Sequence, residues 1–308
     1  METSSYIILG PVDVADMSAT HPDIINGYPM PTAVAGFGYK TVLDLNKEFG
    51  GCLTHLGTAV VVHKHSMMEG HPKNPVEIKG KLNQGAPIVD EYKARAEVTF
   101  IIALNEEPRL SETGDMLPGV DPDLAKSFLA RRMPGWSFGG GKIFVPSGKR
   151  PDDLVKFVPG NEIGQALSIV GAGYVLVDRR DLLELERTGE EDALDALFNC
   201  VEFIKQAEPD GKVNDGDGTE KAAKRKHPGW IVPLLVGFQG IERPSQRGGT
   251  RVGGAVNHVY AESIYSIGEY KSLKGMLAAD DDPLEASLWR HCRHKASETF
   301  YVSAIETI

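Results

Sequence analysis

The sequence predicts an α+β fold: a β-α-β-β-α-β core of the ferredoxin-like type, with insertions and a C-terminal extension that returns to the sheet. Three observations predict it. Several short runs are β-branched and apolar, two intervening segments have helical spacing, and further strand-like runs follow towards the C-terminus. We expect residues 1–308 to form a single domain, since a 308-residue chain that is 41% hydrophobic can bury a sizeable core.

The first strand and helix of this core are indicated by two adjacent segments. Tyr6–Val14 is β-branched and apolar, which is typical of a strand. After the Pro-rich turn Gly27–Pro31, apolar residues recur near every 3.6 positions, at Val34, Phe37, Val42, Leu45 and Phe49. Thr32 is placed to cap this helix, and Gly50 is placed to end it.

The second and third strands are predicted at Gly57–His63 and Arg95–Leu104. A polar stretch rich in Pro and Gly separates them, so we expect a loop or insertion at 64–94.

The second helix is predicted to begin at Asp121-Pro122, because aspartate caps helices and proline is tolerated in the first turn. Its expected buried stripe is Leu124, Phe128 and Leu129. Gly139–Gly141 should stop the helical pattern, and Lys142–Val145 should form the next strand.

The C-terminal part is predicted to add strands and one helical segment. Tyr174–Val177, Trp230–Phe238 and Thr299–Ile305 have strand character. Residues 181–207 are expected to be helical, with Thr188–Glu191 as a capping box before Leu194, Leu197, Phe198, Val201 and Ile204. The last strand would bring the chain back to the sheet.

Composition restricts the function classes. The chain has no apolar run long enough for a membrane span and no signal-peptide pattern at its start, so we expect a cytoplasmic protein without a membrane partner. Three isolated cysteines indicate neither a disulfide framework nor a metal knuckle. The formal net charge of −10 disfavours a protein that binds nucleic acid without partner proteins. The polar linker 208–226 nevertheless changes from acidic to basic, which leaves room for a local basic surface.

The sequence predicts no cofactor, metal or catalytic set. Gly36–Thr41 lacks the glycines of a phosphate loop, and its glycines are better explained by close packing of the first helix on the sheet. Histidines cluster, but no acidic residue or cysteine at ligand spacing completes a site; they are His63, His65, His71, His291 and His294. Histidines alone do not establish a metal-free ribonuclease either.

Two glycine-rich basic segments are candidates for contact with phosphates. Gly139, Gly140 and Gly141 could offer backbone N–H groups beside the cationic Lys142, or could simply end a helix. The run Arg243–Arg251 is a basic loop suited to a nucleic-acid backbone, or a solvated loop. The third predicted strand lacks the Lys/Arg-Gly-Phe start of an RNA-recognition motif, so no aromatic stacking platform is predicted.

Five segments, in the same order along the chain, carry a resemblance to a known family. They are Gly27–Ala33 leading into Gly36-Phe37, Asn74-Pro75 with Asp90–Val98, Gly139–Ile143, Lys226–Pro233 with Val236–Phe238, and Ala261–Tyr270. Together they resemble the handle-binding RAMP subunits of type I-F CRISPR Csy complexes, the second of the Csy proteins, within the wider Cas-five superfamily. The resemblance spans nearly the whole chain. One departure is Arg247–Gly254, where family members tend to carry an Asn and an Arg-Asp pair.

The resemblance implies a non-catalytic RAMP fold that holds the 5′ handle of the crRNA. It also implies contacts with the large subunit and the backbone subunits, with target double-stranded DNA reached through the complex. Phosphate grip needs cations on glycine-rich or flexible backbone, so we expect Lys142, Arg247 and Arg251 on the handle, with Arg243 and Lys226 as neighbours. Two alternatives stay open: a Cas-five-type endoribonuclease that processes repeat RNA, and a purely structural adaptor.

Overall fold

The computed structural model describes most of the chain. The described residues are 5–19, 27–68, 92–107, 109–110, 116–117, 119–187, 192–204, 224–246, 257–278, 284–294 and 299–304. The strands are β1 Ser5–Ser18, β2 Leu53–Met68, β3 Lys93–Glu106, β4 Arg109–Leu110, β5 Met116–Leu117, β6 Ser137–Phe138, β7 Gly141–Phe144, β8 Val155–Pro159, β9 Tyr174–Asp178, β10 Phe203–Ile204, β11 Lys224–Arg225, β12 Ile231–Gly240, β13 Ala261–Ser272, β14 Arg290–His294 and β15 Thr299–Ser303. The α-helices are α1 Pro31–Phe49, α2 Pro122–Arg132, α3 Ile163–Ser168, α4 Arg180–Glu186, α5 Ala193–Val201 and α6 Leu273–Leu277.

One 11-stranded sheet dominates this α+β structure. Its order is β14-β15-β12-β13-β9-β2-β3-β1-β7-β6, and β8 pairs with β1 beside β7. All its strand pairings are antiparallel. Helix α1 contacts β6 near one end of the sheet and β12, β14 and β15 near the other. The sheet therefore curls around α1.

The central strand β1 is covered on both faces. Ile7 and Leu9 belong to the apolar cluster that includes α1 and α2, whereas Tyr6 and Ile8 belong to a second cluster on the opposite face. Because successive side chains of a strand point to opposite faces, both faces must be apolar. This is why Tyr6–Leu9, the start of the first predicted strand, is continuously apolar.

The first helix was predicted correctly, but its cap was not. It begins at Pro31, and its N-cap Met30 makes no side-chain cap hydrogen bond, so the prediction that Thr32 caps it is wrong. Proline occupies the first helical position, which places Thr32 inside the first turn. Gly50 ends the helix in a left-handed conformation, as predicted. The predicted close packing is confirmed at Gly38, where a Cβ atom would overlap the hydroxyl of Thr58 on β2.

The second helix begins as predicted. The Asp121 carboxylate accepts hydrogen bonds from the backbone N–H groups of Asp123 at 2.8 Å and Leu124 at 3.2 Å. The predicted stripe is wrong at Leu124, which is 59% exposed, because Ala125 takes the inward position beside Phe128.

The described residues of the segment 181–207 form α4, α5 and the short strand β10. The predicted capping box Thr188–Glu191 lies outside the described residues. The N-cap of α5 is Asp192, whose carboxylate accepts hydrogen bonds from the N–H groups of Leu194 and Asp195. The helix ends at Val201, and Ile204 pairs with Lys224 where β10 and β11 run antiparallel. None of the helices in the described part of the chain is long and apolar enough to cross a membrane.

The strands extend further than predicted around the 64–94 insertion. β2 continues to Met68 and β3 begins at Lys93, and the two strands pair along this whole length. Positions 69–91 of the predicted insertion lie outside the described residues. In the predicted linker 208–226, Lys224–Arg225 is strand β11.

The predicted return of the C-terminus to the sheet is confirmed. β15 pairs with β12, and Phe300 lies opposite Phe238. The buried Asp178 at the end of β9 accepts hydrogen bonds from the Ser303 hydroxyl at 3.1 Å and the Ala304 N–H at 3.2 Å. These bonds fix the last strand against the centre of the sheet.

Candidate nucleic-acid interface

The predicted glycine loop is the turn of a β-hairpin. Gly139 and Gly140 have φ angles of 55° and 80°, and they connect β6 to β7. Two consecutive left-handed residues are typical of a tight hairpin turn and favour glycine. The carbonyl of Gly139 accepts a hydrogen bond from the N–H of Ser18 at 2.8 Å, and a Cβ atom on Gly141 would crowd the backbone of Ala15. The turn and the close strand packing therefore account for these glycines, and the prediction that they also contact phosphate is untested.

The predicted basic residues occupy different parts of the fold. Lys142 is exposed on β7, and Arg243 is exposed just beyond the end of β12. Five strands separate β7 from β12 in the sheet. Arg247 and Arg251 lie outside the described residues.

Lys226 has a partner within the protein. Its ammonium lies 2.6 Å from one Glu186 carboxylate oxygen, and the His227 ring lies 2.8 Å from the other. The hydrogen bond from Lys226, followed by the one from His227, lowers the pKa of Glu186 despite some desolvation. This arrangement joins α4 to the segment before β12 and gives Lys226 a structural role.

The structure reveals a cleft of about 620 Å³. Its lining residues come from the segment before α1, the second half of β2, the starts of β9 and β12, and the end of β13. Among them are Tyr174, Trp230, Tyr270, His63, Lys64 and His65. Concave, mostly apolar pockets with a few polar groups are the usual form of a binding site.

Three of the aromatic rings that line this cleft form a cluster around Trp230. The Trp230 ring centroid lies 5.6 Å from that of Tyr174, with the planes 77° apart, and 5.0 Å from that of Tyr270. The carbonyl of Trp230 accepts a hydrogen bond from the Tyr270 N–H at 3.0 Å. Burial raises the pKa of Tyr270, which keeps its hydroxyl protonated. Trp230 is 50% exposed and Tyr174 is 48% exposed, so both still present ring surface to solvent.

Strand β2 contributes polar side chains to the cleft. The two ring nitrogens of His63 lie 2.7 Å from the Ala172 carbonyl and 2.9 Å from the Thr99 hydroxyl. The Lys64 ammonium lies 2.6 Å from Glu97. Desolvation lowers the pKa of His65, so its imidazole is neutral near pH 7 and can donate one hydrogen bond and accept another.

Sequence reasoning missed this aromatic cluster, because its members come from three distant segments. The expectation concerned an aromatic platform on the third predicted strand, whereas this cluster lies where β9 and β12 begin and near the end of β13. A usable signal was present: Tyr174 and Trp230 each follow a glycine and stand where a strand begins.

The clustered histidines do not assemble a metal site in the part of the chain that is described, where no group of three or more His, Cys, Asp or Glu could hold an ion. His71 lies outside the described residues. His63 is held by the two protein oxygens named above, which gives it a structural role.

A family model described as CRISPR-associated protein Csy2 matches residues 7–303. A comparison with curated proteins finds no match. The matched range includes every strand of the main sheet, apart from the first two residues of β1. The chain therefore belongs to the Csy2 family of CRISPR-associated proteins and is a subunit of a type I-F Csy complex, in which it assembles with other Cas proteins.

Proposed function

We propose that this protein is the non-catalytic subunit that binds the 5′ handle of the crRNA in a type I-F surveillance complex and pairs there with the large subunit for antiviral DNA targeting. The observation that carries the proposal is the family match across residues 7–303. The handle is the part of the guide that does not vary with the target, so one dedicated protein surface can hold it in every complex.

We also propose that the core is of the RAMP type, the ferredoxin-like plan of many RNA-binding modules. The support is the strand order. β1 lies between β3 and the pair β7 and β8, while β2 flanks β3, with α1 after β1 and α2 after β3. This is the order that a β-α-β-β-α-β unit produces.

A non-catalytic role fits the surroundings of the histidines. A general base in RNA cleavage needs a ring nitrogen available to a 2′-hydroxyl. Both nitrogens of His63 already lie within hydrogen-bond distance of protein oxygens. His65 is available, but a second proton-transfer group positioned opposite it would also be required.

The net charge of −10 fits a protein that binds the RNA together with partner subunits. An acidic protein gains little from counterion release by itself, so more basic partners must supply part of the affinity. Target recognition then belongs to base pairing by the guide. We expect the isolated chain to bind handle RNA weakly and co-expression with the large subunit to strengthen binding. Salt-resistant, tight binding by the chain alone would contradict this.

The decisive experiment assembles the complex with the double substitution Arg247→Ala and Arg251→Ala. We expect guide occupancy to fall, and the dependence of affinity on salt to decrease by on the order of one unit of slope per lost phosphate contact. The melting temperature of the protein should stay nearly constant, because the glycine-rich basic sequence predicts a solvated loop, where a substitution usually costs less than about 0.5 kcal/mol. Arg131→Ala, an exposed arginine of α2, is the matched control.

The outcomes separate the three functions. If occupancy is unchanged at every salt concentration, the two arginines do not hold the handle. Cleavage of repeat RNA by the pure protein, lost on His63→Ala or His65→Ala, would establish the endoribonuclease instead. If ultraviolet crosslinking of the assembled complex joins no RNA to this subunit, the protein is a structural adaptor.

A further inference from the structure

We propose that the aromatic cleft is a pocket for a single unstacked RNA base, which inserts against the Trp230 ring with its polar edge towards β2. The inference rests on the proposed function, because it takes the handle RNA as the source of the base. It adds a site that is separate from the predicted phosphate contacts.

The size of the cleft suits such a ligand. Its volume of about 620 Å³ falls within the roughly 300–1,000 Å³ range of small-molecule pockets. Single-stranded RNA is recognised mainly through bases that leave the stack and lie on aromatic side chains. A splayed base needs a recess of this kind, whereas a phosphate contact needs only an exposed cation.

The aromatic side chains of the cleft are preorganised for binding. The Trp230 ring packs against the rings of both Tyr174 and Tyr270, and the Trp230 carbonyl accepts a hydrogen bond from the Tyr270 N–H on β13. A ring held in this way loses little freedom when a base packs on it. Half of the Trp230 surface is exposed, so a base can reach it without displacing another side chain.

The polar side chains of β2 in the cleft favour a base over an aliphatic side chain of a partner protein. Lys64 and His65 line the cleft, and both keep exposed surface. The ring nitrogens of His65 make no hydrogen bond to another described residue. A nucleobase has a planar apolar face for Trp230 and polar edge atoms for an imidazole, whereas an aliphatic side chain would bury these groups without replacing their water.

The test uses the full chain co-purified with its partner subunits and without guide RNA. Synthetic handle RNAs, each lacking one base while keeping its phosphate, are bound to the wild-type protein and to the Trp230→Ala and Trp230→Phe variants. Fluorescence anisotropy gives the affinities. Tyr39→Ala is the matched control, since Tyr39 is 51% exposed on α1 and does not line the cleft.

We expect one abasic position to weaken wild-type binding on the order of ten-fold, the size of one base stacked on an aromatic ring. Trp230→Ala should weaken binding of the intact handle by a similar factor and cause no further loss with that abasic RNA. Trp230→Phe should retain most of the affinity, and Tyr39→Ala should behave as wild type. A melting temperature for each variant shows that it is folded, and the abasic series on the wild type stands even if Trp230→Ala does not fold.

Two results would overturn the pocket while leaving the proposed function intact. In the first, the wild-type protein prefers handle RNA over a scrambled RNA, yet Trp230→Ala weakens binding of every abasic RNA by the same factor as it weakens binding of the intact handle. In the second, Trp230→Ala prevents assembly with the partner subunits in the absence of RNA, which would assign the cleft to a protein side chain. Equal affinity of the wild type for handle and scrambled RNA would instead refute the proposed function, and the pocket with it.

Discussion

The tripeptide Pro-Gly-Trp occurs twice, at 134–136 and 228–230, and the two tryptophans have different surroundings. Trp136 packs its ring against Phe37 of α1 at 5.7 Å and has the Lys40 ammonium 5.2 Å above it. Trp230 is half exposed and packs against Tyr174 and Tyr270. The first tryptophan closes the core around α1, whereas the second lines an open cleft.

The glycines differ in the same way. Gly229 has a φ of 111°, and a Cβ atom there would overlap the Glu269 carboxylate. Gly135 has no such φ, and a Cβ atom there would meet nothing within 4 Å. Identical local sequence therefore gives an ordinary turn in one place and a constrained strand entry in the other. Tertiary context, and not the tripeptide, decides which tryptophan remains available to a ligand.

The largest expected effect is a loss of stability in acid. It should depend on a histidine near α1 and not on the histidine in the cleft. Burial, and then the neighbouring His291, lowers the pKa of His55 to about 4. The unfolded chain takes up a proton near the ordinary pKa of about 6.5, so stability is full above that value and is lost as the pH falls from about 6.5 to about 4. The shift corresponds to at most about 3 kcal/mol of unfolding free energy. Urea denaturation across this range measures it.

His55→Gln should flatten this acid-dependent loss, because a neutral amide can still meet the Thr58 hydroxyl that lies 2.8 Å from the His55 ring. His65→Gln is the matched control in the cleft. The pKa of His65 is also lowered, but by partial desolvation alone, so this variant should retain most of the pH dependence. Equal flattening by both substitutions would mean that the two regions do not differ in this respect.

The next largest effect tests the two glycines. Gly229→Ala should cost about 2–3 kcal/mol, since a left-handed backbone strains any other residue and Glu269 must move. Glu269 cannot move freely, because it pairs with Arg179 and lies 3.6 Å from the Lys271 ammonium. Gly135→Ala should change stability by less than about 0.5 kcal/mol. Thermal denaturation compares the two, and similar losses would contradict the different roles assigned to the turns.

The two tryptophans should show a smaller difference in stability. Trp136→Ala should cost about 2 kcal/mol, below the roughly 3–5 kcal/mol of a fully buried aromatic residue, because Trp136 is only partly buried. Trp230→Ala should cost about 1 kcal/mol or less, since half of its surface already faces water. Denaturant titration measures both losses. An unchanged slope of unfolding free energy against denaturant concentration would show that both variants unfold as the wild type does. A larger loss at Trp230 would assign it to the core.

Much of the fold could be predicted from sequence, because its signals are local. The apolar run of β1, the Asp121 cap and the glycine that ends α1 each act within a few residues. Strand β13 was not predicted, since its alternation is interrupted by Gly268 and by the charged residues Glu269 and Lys271. Asp192 was missed as a cap because the preceding Thr188–Glu191 matches a capping box equally well.

The candidate site was harder to predict for the same physical reason. Tyr174, Trp230 and Tyr270 are brought together only by the pairing of β9 and β12 with β13. Long-range pairing leaves no period in the sequence. The basic residues could be identified as cations from sequence, but the ion pair that holds Lys226 depends on where α4 lies.

The smallest effect concerns the cation above Trp136, and it asks whether charge contributes to the difference between the two tryptophans. The Lys40 ammonium lies over the Trp136 ring and also 2.5 Å from Asp44, one helical turn later. Lys40→Met should cost about 0.5–1 kcal/mol, combining an exposed cation–π contact with an exposed helical ion pair. Asp44→Asn removes only the ion pair and should cost about 0.3–0.5 kcal/mol at low salt and less at high salt. A double-mutant cycle between Lys40→Met and Trp136→Ala then isolates the ring contact, and we expect a coupling of about 0.5 kcal/mol. Zero coupling would mean that Trp136 is held by its packing on Phe37 alone, so that the two tryptophans would differ only in how deeply their rings are buried.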